Sequence, residues 1–365
     1  MNVRGKTWLV LALIMLGVAL SVVVALALQI PTAPPSQIAT AGLYPYTPQV
    51  RNFTLYVRDA VLKLPDKTLI HVFGYTDDPR GRAKVPGPAL MMTEGDMVNL
   101  TLVNDEDPTK TKYNPGGDGY ALAIDGLNLP DQGPIKMGER FTYHFVAAHA
   151  GTYWYHCRVN PVQHLQMGLY GAFIVQSTAD TSVAYPDTPL FNKQYTFVLS
   201  EMDSVEHQQE YDALNKGGSP VNWKTYQPDY FLMNGKAYPD TMMDPQDSIN
   251  ATIGQTVLVR LINAGSGVHM MHTHGFHFLV IGANGRKLDQ PYYKDTLLME
   301  PGERYDIILR LNQVGRFMFH DHIDENATNN GVYPGGMITM INVNNPDGTN
   351  PAPMPSMNTT TGNGT

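Results

Sequence analysis

Gly151-Thr-Tyr-Trp-Tyr-His-Cys157 and Gly315-Arg-Phe-Met-Phe-His-Asp321 read as one strand written twice. Each starts at a turn glycine, runs through aromatic residues that favour strands, and carries a histidine one place before its end. Each follows a Gly-Glu-Arg triplet, at 138–140 and 302–304, and His156 and His320 lie equally far from their triplets. Further upstream, Thr93-Glu-Gly-Asp-Met-Val-Asn-Leu-Thr-Leu-Val-Asn104 parallels Thr252-Ile-Gly-Gln-Thr-Val-Leu-Val-Arg-Leu-Ile-Asn263. A repeat of roughly 150 residues, built of short β-rich runs between Gly, Pro and Asn turns, predicts a duplicated β-sandwich. The fold class is therefore all-β, with two tandem domains at 45–185 and 190–345 and a join near 178–190. The polar stretch from Glu201 to Lys224 reads as a place for a short helix.

Composition narrows the function. The 365 residues suffice for two ordinary cores, and 43% hydrophobic against 16% charged residues argues against a disordered chain. A net charge of −8 speaks against binding nucleic acid or an anionic membrane surface. The single cysteine excludes an intrachain disulfide. At the N-terminus, Arg4 and Lys6 precede an uncharged apolar run from Trp8 to Leu28. That run exceeds a usual secretory core of about 7–15 residues, so 1–36 is read as a single-pass membrane anchor and stiff linker. Ala25-Leu26-Ala27 keeps a cleaved signal open. The basic end stays inside, which places the rest outside, anchored to the cytoplasmic membrane in a periplasmic or cell-surface location. Residues 346–365 read as a disordered tail, and Asn-x-Ser/Thr triplets at Asn52, Asn99, Asn250, Asn326 and Asn358 allow glycosylation.

Six of the twelve histidines lie between His269 and His322, in His269-Met-Met-His272-Thr-His274-Gly-Phe-His277 and His320-Asp-His322. Residues two apart on a strand share a face, so His272 projects with His274 and His320 with His322. One such pair is commonly just a polar strand. Two pairs at matching ends of a repeat favour a metal site, for copper or zinc. His277 has the opposite parity and reads as packing or support.

The first domain carries His156-Cys157, then His164, Met167 and Leu169. If Cys157 faces the interior, His156 faces out. Thiolate, imidazole and a weak thioether form the ligand set of a blue electron-transfer copper. An inert buried thiol is the plainer reading of a lone cysteine. His156 beside it and His164 in the following loop favour the metal.

On these residues the chain resembles the two-domain members of the multicopper oxidase and copper nitrite reductase superfamily, built from cupredoxin domains. The likeness covers roughly Val50 to Val343 and rests chiefly on His-Met-Met-His-Thr-His-Gly (269–275), Phe-His-Asp-His-Ile (319–323) and Gly-Thr-Tyr-Trp-Tyr-His-Cys (151–157). It implies Greek-key β-barrels, copper cofactors, and electrons passing from a type 1 copper along a Cys-His link to a type 2 or multinuclear site. It also implies a homotrimer whose second site lies between subunits.

The departures from that pattern shape the expectation. Asp321 stands at the second domain's type 1 cysteine position, and Tyr120 at the first domain's first type 1 histidine position, aligned with His269. Ala123, Asp125 and Arg158 replace three outer-site histidines. The candidate metal ligands are His156, Cys157, His164, Met167, His269, His272, His274, His320 and His322, with Leu169 the alternative axial residue. Asp125 and His274 are the candidate catalytic residues. The expected activity is reduction of dioxygen or nitrite with electrons from an external donor. A nitrite reductase proper and a non-catalytic copper or electron carrier are the alternatives.

Overall fold

The computed structural model describes residues 46–105, 119–217, 219 and 221–349. The anchor, the linker and residues 350–365 of the expected tail lie outside them. Among the described residues no helix is long and apolar enough to cross a membrane.

The first half supplies strands β1 (Val50–Lys63), β2 (Leu69–Thr76), β3 (Gly87–Thr93), β4 (Met97–Asn104), β5 (Leu122–Ile124), β6 (Glu139–Val146), β7 (Gly151–Cys157) and β8 (Tyr170–Gln176). They form two sheets, ordered β2-β1-β4-β6 and β3-β8-β7-β5. The second half supplies β9 (Lys193–Met202), β10 (Tyr230–Met233), β11 (Ile249–Thr252), β12 (Thr256–Asn263), β13 (His269–Thr273), β14 (Phe278–Ala283), β15 (Arg286–Lys294), β16 (Thr296–Met299), β17 (Arg304–Arg310), β18 (Gly315–Asp321) and β19 (Ile338–Asn344). Their sheets run β10-β9-β12-β17-β14-β15 and β11-β19-β18-β13-β16. Non-consecutive neighbours and parallel pairs, such as β1 with β4 and β9 with β12, mark crossovers between the sheets of each sandwich. Helix α1 (Pro161–Gln166) follows β7, and α2 (Ser204–Lys216) follows β9 within the stretch read as helical.

Alternation explains the cores. On β7, Tyr153, Tyr155 and Cys157 enter the first core, while Trp154 joins a separate cluster with Val198, Leu232 and Ile262 of the second sandwich. On β18, Phe319 enters the second core and His320 faces the other way. The Gly-Glu-Arg repeat is a turn device. Gly138 and Gly302 take φ of 84° and 81°, a region that disfavours side chains. Their N–H groups donate to Asn104 and Asn263 carbonyls, at 2.6 and 2.9 Å. Glu139 and Glu303 then accept the N–H of Lys136 and Glu300.

A buried ion pair fastens the two sandwiches. Arg260 on β12 donates to Thr152 of β7 at 2.9 Å and lies 3.3 Å from Asp306, which also accepts from Thr152 and Tyr185. Arg260 and Asp306 are each 1% exposed. Asp306→Ala strands a buried guanidinium. It is expected to cost about 3–5 kcal/mol in denaturant unfolding, whereas a surface change such as Asp289→Ala costs little.

Candidate metal centres

β13 and β18 are directly paired, with Met271 opposite Asp321, His272 opposite His320 and Thr273 opposite Phe319. The inward side chains fill the core, and His272 and His320 stand side by side on the outer face. His274 follows β13 and is fixed by its N–H on the Met318 carbonyl, 2.9 Å away. His322 follows β18, with its N–H on the Met270 carbonyl at 2.7 Å. The structure thus brings four imidazoles together. Ring centroids lie 5.1 Å apart for His272–His274 and for His274–His320, and 5.0 Å apart for His272–His322. Donor atoms of His272, His274 and His320 lie within 4.8 Å of one another.

The ring orientations suit a metal. His272 Nδ1 donates to the Asp295 carbonyl at 2.7 Å, and His320 Nδ1 to the Asp321 carbonyl at 2.7 Å. A carbonyl only accepts, so each neutral ring keeps its lone pair on Nε2, the tautomer of a backbone-anchored ligand. His320 Nε2 lies 3.1 Å from His274 Nε2. Two nitrogens bound to one ion at about 2.0–2.1 Å have about that separation. Burial first, then the neighbouring imidazoles, lowers the pKa of His274; the same causes outweigh the Asp321 carbonyl at His320. Both therefore stay neutral and able to ligate. An open cavity of about 380 Å³ adjoins His272 and His274 and is rimmed by His277 and Asp295. His277 is not packed: its side chain is 72% exposed, 3.9 Å from Asp295.

In the first sandwich, Cys157 Sγ lies 3.2 Å from His164 Nδ1, both side chains fully buried. Helix α1 presents His164 and ends at Met167, which is buried like Leu169. Burial pushes the Cys157 thiol up to about 11, so a thiolate there needs a cation beside it. The Tyr120 ring stands 5.3 Å from the His164 ring. The site therefore fits a metal with two strong donors and an aromatic residue at a third corner. His71, His144 and His149 do not reach it: His71 stacks on Tyr211, His144 bonds Asn99, and His149 lies beside Glu94.

On the outer face of β7, His156 Nδ1 lies 3.0 Å from the Cys157 carbonyl, to which it donates, and Nε2 lies 3.2 Å from Asp125 Oδ1. That leaves a lone pair facing a carboxylate, a contact completed by a proton or a metal ion. Burial works against the Asp125 charge, but the hydrogen bond and charge of His156 hold its pKa below the usual range. Trp154 Nε1 donates to Asp125 Oδ2 at 3.0 Å, and Arg304 of the second sandwich donates to the Asp125 carbonyl at 3.2 Å. Among the described residues His156 does not join the four imidazoles of its own chain.

His269 is where the expected ligand list needs correcting. It points inward, 1% exposed, with Nδ1 2.8 Å from Asp321 and Nε2 3.1 Å from Glu201. Both ring nitrogens are engaged by carboxylates, so no lone pair remains for a metal. Glu201 and Asn326 were not legible as site residues. Asn326 matches a glycosylation triplet, yet it is 6% exposed and donates to Asp321 Oδ2 at 2.8 Å.

Comparisons with known proteins show the family and the fold. A multicopper oxidase family model matches residues 82–180 and a second matches 209–335. The blue copper oxidase structure from Nitrosomonas europaea is 31% identical with a TM-score of 0.64, over 80% of this chain and 85% of that one. A copper nitrite reductase from Nitrosomonas europaea shares the fold at 21% identity and a TM-score of 0.62, over 80% of this chain and 93% of that one. Laccase-7 of Arabidopsis thaliana is 25% identical over 76% of this chain, which spans only 46% of that relative's length.

The buried Glu201–His269–Asp321 trio predicts a pH dependence for the metal-free protein. Burial disfavours the charge on His269, but the bonds from Asp321 and Glu201 outweigh it and raise the pKa from 6.5 to about 9. Its contribution to stability is complete below pH 6.5 and is lost as pH rises through about 9. Glu201 and Asp321 are held below the usual range, so their contribution is lost only as pH falls into the acid region. The melting temperature is expected to fall between about pH 7 and pH 10, and to fall less in His269→Gln. Equal slopes in the two proteins would contradict the assignment.

Proposed function

Because the chain belongs to the multicopper oxidase family, we propose that it is an extracytoplasmic copper oxidoreductase that takes electrons from an external donor and reduces a small acceptor, dioxygen or nitrite. The observation that carries this reading is the His156–Cys157 peptide link. It joins a buried thiol–imidazole pair on one face of β7 to an outward imidazole on the other. Copper, when bound, supplies one-electron oxidation and reduction. Cys157 Sγ and His164 Nδ1 would hold one ion, and buried Met167 and Leu169 exclude water around them. His272, His274, His320 and His322 would hold the outer ion or ions, to which His156 and Asp125 would contribute. Where His156 Nε2 does not ligate, the proton of its 3.2 Å contact with the Asp125 carboxylate is the one relayed to the acceptor, and His274, exposed like His322, faces that acceptor.

Assembly and location are parts of the same proposal. Four outward imidazoles lack His156 within their own chain, so the first domain of one subunit supplies it to the second domain of the next. Such head-to-tail contacts close into a ring, here a homotrimer. Residues 1–36 anchor the protein to the cytoplasmic membrane, with the copper domains outside. A nitrite reductase proper is favoured by one observation. Arg158, bonded to Asp131, stands where a second histidine would flank Cys157, leaving one outward imidazole on β7.

Cys157→Ser is expected to abolish an intense thiolate-to-copper absorption and keep most second-domain copper. A colourless copper-loaded wild type would overturn the Cys157 site. His320→Ala is expected to abolish turnover of dioxygen or nitrite while the Cys157 copper remains reducible. Each acceptor is offered separately. Turnover of nitrite alone selects the nitrite reductase, and turnover of neither with the outer site loaded selects a carrier. The mass of the soluble region should be three times that of one chain, and a copper-loaded monomer would refute the trimer.

A further inference from the structure

The four corners of the Cys157 site have exact counterparts in position within the second sandwich. Cys157 lies opposite Leu122 and His156 opposite Ala123, as Asp321 lies opposite Met271 and His320 opposite His272. Cys157 N–H donates to the Leu169 carbonyl, and Asp321 N–H to that of Met337, each at 3.0 Å. Leu169 N–H in turn donates to the His164 carbonyl at 3.0 Å, and Met337 N–H to that of Asn326 at 2.9 Å. Tyr120, Cys157, His164 and Leu169 thus match His269, Asp321, Asn326 and Met337.

We propose that Asp321, with His269 and Glu201, is the positioning device of the imidazole cluster: an ionic cross-brace built where the first sandwich has its thiol. The proposal rests on the reading that those imidazoles hold copper. Asp321 Oδ1 accepts the N–H of Met270 at 2.9 Å and of Ile323 at 3.0 Å. Its Oδ2 accepts His269 Nδ1 and Asn326 Nδ2, each at 2.8 Å. His269 Nε2 reaches Glu201 Oε2 at 3.1 Å. Glu201 Oε1 accepts the N–H of Ser266 at 2.6 Å and of Gly267 at 2.8 Å, in the segment that leads into β13. The brace therefore ties β9, the entry to β13, the end of β18 and the turn beyond it.

Three of the four imidazoles depend on an atom of this brace. β18 ends at Asp321, so His322 lies on the bend after it, where the carboxylate captures the N–H of the next residue, Ile323. His320 gives its Nδ1 proton to Asp321's own carbonyl. His272 lies two residues beyond Met270, whose N–H is held by Oδ1. A brace of fixed charges holds these positions before any ion enters, so copper meets formed sites rather than assembling them.

The test uses full-length protein and Asp321→Asn, which keeps the shape and removes the charge. Copper affinity of the second-domain site, measured against a chelator, is expected to fall about 10- to 100-fold. Its electron paramagnetic resonance hyperfine pattern should change while the Cys157 absorption stays as in wild type. In metal-free protein labelled with ¹⁵N-histidine, the ring signals of His320 and His322 should shift or broaden. Wild-type affinity and hyperfine pattern, or unchanged metal-free ring signals, would overturn the proposal. Should Asp321→Asn not fold, Glu201→Gln leaves Asp321 in place and is expected to change the same readouts in the same direction. A wild type that takes no copper at these imidazoles defeats the copper reading, and the metal-free spectra alone then decide the brace.

Discussion

One peptide bond organises the molecule. On β7 the side chains of His156 and Cys157 lie on opposite faces of a sheet, because strand residues alternate. The inner face belongs to a close-packed core, where a thiol is dry and its ionisation is opposed by burial. The outer face carries His156 against Asp125 and Trp154 at the junction of the two sandwiches. A buried donor pair and an outward imidazole are therefore a few bonds apart, yet separated by the thickness of a sheet. No loop can slide one relative to the other.

The same alternation operates on β18 with a different residue in the inner place. A carboxylate in a core is costly unless all its lone pairs are used. Asp321 meets that condition with four donors, two of them backbone N–H groups, and Glu201 supplies a second negative partner to His269. The result is fixed geometry rather than a metal centre. The outer histidines on β13 and β18 keep their orientation because the inner residues of the same strands are locked.

Much of this was legible from the chain because the determining rules are local. The Gly-Glu-Arg turns, the paired strand ends and the parity of His272, His274, His320 and His322 follow from spacing along one or two strands. The corner filled by Tyr120 also follows from aligning the repeat, and the register bears out that alignment. What was not legible depends on long-range contacts. Glu201 lies 68 residues from His269, in a polar stretch that gives no sign of a buried partner. Asn326 carries a surface-type triplet, and only the return of the chain after β18 buries it against Asp321. His269 sits in the most metal-like motif of the sequence, yet its parity sets it inward, where the replaced cysteine position provides a carboxylate. The local pattern was sufficient to group the outer histidines and insufficient to identify the partners of the inner one.

The two sandwiches have divided one four-cornered set between them. The first keeps a thiol and His164, with Tyr120 and Leu169 at the other corners. The second keeps His269 and Met337, with Asp321 and Asn326 at the others. A soft site needs the thiol and imidazole together, so only the first can be one. The outer faces are divided in the opposite sense: among the described residues, the paired ends of β13 and β18 group four imidazoles, and the matching face of β5 and β7 shows only His156. An outer ion held by the second sandwich is therefore near no thiol of that sandwich, and the thiol's outward neighbour has few imidazoles beside it. Each sandwich alone is deficient at one of its two faces, and the deficiencies are complementary. The proposed docking of first domain to second would use that complementarity, with the fixed outer histidines as the receiving surface.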